Sequence, residues 1–138
     1  KDGSERWTQT TKWPGGKGDH GKAMMRPAIV GDRIFLRPDV LSLKDGSVLP
    51  EKMPDGHGCG TYSCTANAII YRAQTVTMWN AETNVKSTWP RLRPDCWLST
   101  IPANGMLLSP EGGGGCSCGS WMETSLGFMP KVFDQRSE

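Results

Sequence analysis

The sequence predicts an all-β fold built from short antiparallel strands. Of its 138 residues, 36% are hydrophobic, 17 are glycine and 10 are proline. This composition is typical of a turn-rich β domain rather than a helical one. Short apolar runs alternate with turn signals, and no 3.6-residue period is sustained. A chain of this length is expected to form one ordinary domain.

The first predicted strands form an antiparallel meander. They lie at residues 28–30, 33–37, 40–43 and 48–49. The last two are joined by Lys44-Asp45-Gly46-Ser47, in which the glycine supplies the positive φ that a tight hairpin needs. Residues 1–26 show no sustained period, so we interpret them as an extended lead-in segment.

The same pattern recurs along the chain. Residues 32–37 match residues 67–72 at an offset of 35, and residues 40–43 match residues 76–79 at an offset of 36. A third copy begins at Asn104, 37 residues after the start of the second. Short antiparallel units that recur at this period predict the blades of a β-propeller. A β-sandwich with chance similarity between its strands is the alternative.

Three units are too few to close a ring, because propellers typically have about four to eight blades. We therefore expect about three antiparallel β-propeller blades that are part of a larger propeller. The remaining blades would belong to the same or to another polypeptide chain, since an open sheet edge invites aggregation. The sequence begins with Lys1, so we also expect a processed chain or a piece of a longer one.

The C-terminal part of the sequence resembles a known family. It contains the pentapeptide RPDCW at residues 93–97, the apolar stretch IPANGMLLSPE at 101–111, the tetrapeptide GCSC at 115–118 and TSLGFMP at 124–130. This order is similar to the C-terminal end of PQQ-like (quinoprotein-type) β-propeller proteins of secreted, multidomain bacterial origin. The similarity covers about residues 27–130, which leaves 131–138 as a C-terminal tail. It implies blades held together by short strands and tryptophan docking.

The five cysteines predict an oxidising compartment, and hence a secreted or periplasmic protein. Cys59, Cys96, Cys116 and Cys118 fall in segments that match the family, whereas Cys64 lies outside its pattern. We expect two disulfides among these four, each contributing about 2–4 kcal/mol, with all three pairings open. The alternative is a four-thiolate metal or iron–sulfur site, but only Cys116 and Cys118 are close in sequence, so no metal ligand is assigned.

The resemblance does not bring a cofactor site with it. Quinoprotein dehydrogenases hold PQQ with a metal-binding Glu/Asn/Asp set and a vicinal cysteine pair, and neither can be located in this sequence. PQQ is therefore expected only in a complete propeller. The candidate ligand-binding residues are Trp97 and Glu111, the latter as a group that projects into a central channel. Core packing between blades is the competing role for Trp79, Trp89 and Trp97.

Other function classes have little support. The net charge is +2 with both signs interspersed, which argues against a nucleic-acid partner. No apolar window is long enough to span a membrane. His20 and His57 lie in glycine-rich loops, so no catalytic residue is assigned. The sequence therefore predicts a binding or scaffold module; the alternatives are part of a PQQ- or other cofactor-dependent oxidoreductase, and a cysteine-based metal-binding module.

Overall fold

The computed structural model describes residues 2–11, 26–54, 56, 60–73, 75–92, 94, 98–112 and 124–130. These residues contain eleven β-strands and no helix, so the all-β prediction is confirmed. The strands are β1 Ala28–Val30, β2 Arg33–Leu36, β3 Asp39–Ser42, β4 Val48–Lys52, β5 Ser63–Cys64, β6 Ala68–Ala73, β7 Thr75–Asn80, β8 Lys86–Trp89, β9 Ile101–Ala103, β10 Met106–Ser109 and β11 Leu126–Phe128.

The strands form three antiparallel sheets, each made of consecutive strands. Sheet 1 has the order β1-β2-β3-β4, sheet 2 has β5-β6-β7-β8, and sheet 3 has β9-β10-β11. Each strand pairs with its neighbour in sequence. Apart from residues 110–125 between β10 and β11, the connections within a sheet are short, so they permit only local antiparallel hairpins. The second strands β2, β6 and β10 coincide with the three copies of the sequence repeat.

Sheet 2 lies between the other two sheets and is buried on both faces. Successive side chains of a strand point to opposite faces, so Ile69 and Tyr71 of β6 face sheet 1 while Ile70 faces sheet 3. The core consists of two hydrophobic clusters. The first cluster joins Ile69, Tyr71 and Trp79 to Phe35 and other residues of sheet 1. The second joins Ile70 to residues that include Leu107 and Phe128 of sheet 3. This explains why β6 is a continuous apolar run rather than an alternating one.

Trp79 anchors the contact between sheets 1 and 2. It is 3% exposed, and its ring meets Phe35 edge-on at a centroid distance of 6.0 Å and an interplanar angle of 80°. Its Nε1–H donates to Asn84 Oδ1 at 3.0 Å, which satisfies the one polar atom of the buried indole. Core packing of Trp79 is therefore confirmed. Trp89 is half-buried against the second cluster.

The first strands of the three sheets lie next to each other. The Cα atoms of β5 come within 8 Å of those of both β1 and β9, and no other pair of described strands from different sheets comes as close. Side chains reinforce this junction: Thr61 Oγ1 and Ser99 Oγ lie 2.8 Å apart, and Ser63 Oγ donates to the Thr100 carbonyl. Packed sheets normally lie about 10 Å apart. The sheets therefore approach most closely at their first strands.

Some elements differ from the sequence-based expectation. Strand β4 continues through Pro50 to Lys52, which an edge strand permits because the missing N–H faces away from its neighbour. Strand β5 has only two residues, and β11 contains a glycine, so neither shows a recognisable β pattern. Within the described ranges, the structure offers no helix long and apolar enough to cross a membrane.

Candidate functional site

Most of the predicted site residues lie outside the described part of the chain. These are Cys59, Cys96, Cys116, Cys118 and Trp97. Disulfide pairing of the four cysteines and ligand binding by Trp97 therefore stay predictions. Cys64, the cysteine without a match in the family pattern, is exposed and carries a free thiol.

Glu111 lies just beyond β10 and is exposed. Its backbone N–H donates to Ser125 Oγ at 3.2 Å, which ties the start of the 110–125 connection to its end. β10 is the second strand of sheet 3, one strand away from the junction of β1, β5 and β9. Ligand binding by Glu111 stays a prediction.

An apolar cleft of about 710 Å³ opens between sheets 2 and 3. Sheet 2 contributes Ile70, Met78 and Trp89, and sheet 3 contributes Leu107 and Phe128, among others. The described lining holds no charged side chain. Methionine and aromatic side chains adapt to apolar partners of different shape, so the cleft suits an apolar group better than a charged ligand.

Sheet 3 carries a second apolar surface, on the side that faces away from sheet 2. The register pairs Ile101 with Leu108 and Leu108 with Gly127, and it pairs Ala103 with Met106. We call these five residues the sheet 3 outer face. Ile101 is 53% exposed and Leu108 37% exposed. No charged side chain interrupts this face, whereas the exposed side of a solvated antiparallel sheet is normally polar.

Sheet 1 has a matching surface. Ala28, Phe35 and Val40 face sheet 2, so their strand neighbours face the other way. The register aligns those neighbours in one apolar row across all four strands: Ile29, Ile34, Leu41 and Val48. We call this row the sheet 1 outer face. Ile34 and Leu41 at its centre are buried, while Ile29 and Val48 at its ends are 58% and 49% exposed. Both flanks of the three-sheet stack are thus apolar.

Trp7, from the segment before β1, docks on the β3–β4 turn. Its Nε1–H donates to the Leu43 carbonyl at 3.2 Å. A Cβ atom on Gly46 would lie 2.5 Å from the nearest carbon of the Trp7 ring, so the indole packs directly on the glycine backbone. Gly46 also has φ +73°, a conformation that favours glycine. The turn therefore forms a seat for the indole.

The Gly46→Ala substitution tests this seat, with Gly31→Ala as its control. Both glycines have positive φ, but a Cβ on Gly31 meets open space. Each substitution should cost about 1–2 kcal/mol from the backbone. Gly46→Ala should cost about 1 kcal/mol more, because the Trp7 hydrogen bond and contact are lost. Denaturant unfolding measures both, and in a Trp7→Ala background the two variants should become equal. A persistent difference would show that Trp7 is not the cause.

The same turn has an acidic residue with a depressed pKa. Asp45 Oδ1 accepts from Ser47 Oγ at 2.7 Å and from the Ser47 N–H at 3.0 Å. The Ser47 side chain, followed by its N–H, lowers the pKa of Asp45 from 3.8 to about 2. A carboxylate is stabilised when it accepts such bonds.

Carboxyl carbon NMR titration should therefore find Asp45 ionised well below pH 3.8. Because the pKa is lower in the folded state, the turn is stabilised above pH 3.8 and loses this contribution as the pH falls toward 2. Ser47→Ala should raise the pKa, and Ser87→Ala, at an exposed site on β8, should leave it unchanged. If Ser47→Ala leaves the pKa of Asp45 as low as in the unmodified chain, the assignment to Ser47 is wrong.

Arg37 is a buried cation between sheets 1 and 2. It is 6% exposed, and its guanidinium carbon lies 4.5 Å from the Tyr71 ring centroid and 5.7 Å from that of Tyr62. Its Nη1 donates to the Gly56 carbonyl at 2.8 Å, whereas Nε and Nη2 have no hydrogen-bond partner among the described residues. A Cβ on Gly56 would lie 2.7 Å from Nη1, so a larger residue there would have to displace the guanidinium or the Tyr71 ring. Burial raises the pKa of Tyr62, and the charge of Arg37 acts against this rise.

The described residues hold no cluster of metal-ligating side chains. Among them, no group of three or more His, Cys, Asp or Glu side chains is placed to hold a metal ion. Cys64 is their only cysteine, so a vicinal cysteine pair is absent from this part of the chain. These residues therefore do not fit a quinone cofactor with its metal, and the cysteine-based metal alternative concerns residues outside the described ranges.

The sequence reasoning missed Arg37, the docked Trp7 and the two outer faces. Arg37 ends a predicted strand, and nothing in its neighbours signals burial. The outer faces could have been found, because strand alternation places Ile29 and Ile101 opposite the core-facing residues. The signal for Trp7 is the tetrapeptide KDGS, which occurs at residues 1–4 and again at residues 44–47.

Comparison with known proteins gives no relative from which function could be transferred: no family model, curated sequence or solved structure matches this chain.

Proposed function

We propose that this chain is a sector of a larger β-propeller, and that its three sheets act as blades of a binding or scaffold module. The observation that carries the proposal is the sheet 3 outer face. An apolar sheet surface that lies open to water is the signature of a surface that packs against further protein. In a propeller, the next blade covers it.

Two further features support the blade assignment. Each sheet is a meander of consecutive strands, and among the described strands only the first ones of neighbouring sheets approach each other closely. Blades of a propeller radiate from a central channel, so their first strands converge while their outer strands diverge. A face-to-face sandwich would instead bring several strand pairs of each sheet equally close.

The resemblance to PQQ-like propeller proteins extends the proposal to the compartment. We assign the chain to a secreted or periplasmic protein in which Cys59, Cys96, Cys116 and Cys118 form two disulfides. Intact mass under non-reducing conditions tests this, since each disulfide lowers the mass by about 2 Da. A chain with five titratable thiols after purification under air would contradict it.

The sector proposal is tested with the Ile101→Lys/Leu108→Lys double variant. The 138-residue chain should associate in a concentration-dependent way through the exposed sheet 3 outer face. Two lysines on the sheet 3 outer face should weaken this association at least tenfold, because burying unpaired charges is costly. Sedimentation velocity measures the change.

The matched control is Val85→Lys, which places a lysine at a residue that is 58% exposed but lies outside both outer faces. It should associate like the unmodified chain, and circular dichroism should show that all three proteins fold. The proposal fails if Ile101→Lys/Leu108→Lys associates as strongly as the control.

A further inference from the structure

The tetrapeptide KDGS occurs twice in the sequence, at residues 1–4 and at residues 44–47. The two copies make the same hydrogen bonds. Asp2 Oδ1 accepts from the Ser4 N–H at 3.0 Å and from Ser4 Oγ at 2.8 Å. Asp45 accepts from the corresponding groups of Ser47 at 3.0 and 2.7 Å. The match is therefore one of structure as well as of sequence.

The backbone conformation agrees. Gly3 has φ +80° and Gly46 has φ +73°, so both turns pass through the left-handed region at the same position. The pKa of Asp2 is lowered by its bonds to Ser4, as the pKa of Asp45 is by Ser47. Residues 2–4 thus form the same turn as residues 45–47.

In sheet 1 this turn joins the third strand to the fourth. The Gly46 N–H donates to the Ser42 carbonyl at 2.9 Å, and the Ser42 N–H donates to the Ser47 carbonyl at 2.9 Å. Sheet 2 has a related turn between β7 and β8, where Asn80 Oδ1 accepts from two backbone N–H groups and Asn84 has φ +56°. In both four-stranded sheets, the last strand is preceded by a polar side chain that accepts backbone N–H bonds and then by a residue with positive φ.

Trp7 follows the turn at residues 1–4 at the same distance as a residue of β4 follows the turn at residues 44–47. It lies three residues beyond Ser4, as Pro50 of β4 lies three residues beyond Ser47. By this count Trp7 corresponds to a residue of the fourth strand β4, although the described residues 2–11 form no strand, and its ring rests on Gly46 in the β3–β4 turn of sheet 1. The turn of residues 2–4 is thus typical of the end of a four-stranded sheet, while Trp7 contacts sheet 1.

We infer that residues 2–7 are the closing turn and outermost strand of a fourth sheet, which precedes β1 in the same polypeptide and packs on the sheet 1 outer face. A hairpin turn joins two consecutive segments of one chain, so the third strand of that sheet must lead directly into the turn. The inference rests on the proposed sector and identifies its neighbour on the sheet 1 side as a blade of the same repeat.

The test compares the protein isolated from its natural source with the 138-residue chain. Intact mass with N-terminal sequencing should show a polypeptide larger than 15.1 kDa that continues before Lys1. Hydroxyl-radical footprinting should label Ile29 and Val48 about tenfold less in the isolated protein. Val85, which is as exposed as Ile29 and lies outside both faces, should be labelled alike in both proteins. Trp7→Ala in the longer protein should restore part of the labelling of Ile29 and Val48.

Two results would overturn the inference: an isolated polypeptide that starts at Lys1, or a longer one in which Ile29 and Val48 are labelled as in the 138-residue chain. If Ile101 and Leu108 are protected while Ile29 and Val48 are not, the sector proposal survives and only this inference fails. If all four are labelled equally in both proteins, the sector proposal fails as well.

Discussion

Replacing Trp79 by alanine is expected to lower the free energy of unfolding by about 3–5 kcal/mol. The indole is buried between sheets 1 and 2 and pairs edge-on with Phe35. Removing it leaves a large cavity in the first cluster and breaks the bond to Asn84 Oδ1. The loss is larger than for any exposed residue because the surrounding strands cannot collapse into the space. Denaturant unfolding followed by circular dichroism measures it.

Two variants separate the parts of this effect. Trp79→Phe keeps an aromatic ring but loses the hydrogen bond, so it should cost clearly less than Trp79→Ala. Trp89→Ala removes a half-buried indole and should also cost less. A loss below about 1 kcal/mol for Trp79→Ala, where large core truncations cost several times more, would mean that sheets 1 and 2 do not share this core.

Replacing Arg37 by alanine is expected to cost about 3 kcal/mol, whereas replacing it by methionine should change stability by less than about 1 kcal/mol. Alanine loses the charge-assisted bond to the Gly56 carbonyl and the packing of the stem between Tyr62 and Tyr71. Methionine keeps most of the stem packing. Like alanine, it also removes two buried nitrogen atoms without acceptors, Nε and Nη2, each of which costs about 1–3 kcal/mol.

Arg37→Lys is the matched control for charge. It retains a cation but cannot stack a planar group on the tyrosine rings, so it should be less stable than Arg37→Met. Thermal unfolding of the three variants ranks them. If Arg37→Met proves as unstable as Arg37→Ala, the positive charge itself stabilises the fold. The contacts of the guanidinium with the tyrosine rings then outweigh the cost of burying its charge.

The sequence predicted the strands that can be recognised from their own residues and spacing. β2, β6 and β10 repeat with nearly constant spacing, and the burial of β2 and β6 follows from their apolar runs. The core role of Trp79 also follows from its position in an apolar strand. These features depend on composition and period, which a sequence displays directly.

The remaining features depend on contacts between distant residues. Burial of Arg37 comes from two tyrosines and a glycine carbonyl that lie 19 to 34 positions away in the chain. The seat for Trp7 comes from a turn 36 residues further along. Strand β5, with two residues, is defined by its pairing with β6 rather than by its own composition. Strand alternation predicts single residues of the outer faces, but their alignment into continuous rows depends on the register between strands.

The two KDGS turns show a signal that strand patterns miss. A search for apolar periodicity passes over residues 1–4 because they contain no apolar residue. Their significance emerges from the hydrogen bonds of Asp2 and from the tryptophan that follows. Comparison of turn sequences, rather than of strands alone, would have linked this segment to sheet 1.

The most direct test of the propeller-sector account is the native mass of the 138-residue chain over a range of concentrations. The account predicts association beyond the 15.1 kDa monomer, with Ile101 and Leu108 withdrawn from solvent in the associated form. A cooperatively folded monomer at every concentration, with both side chains open to water, would contradict it.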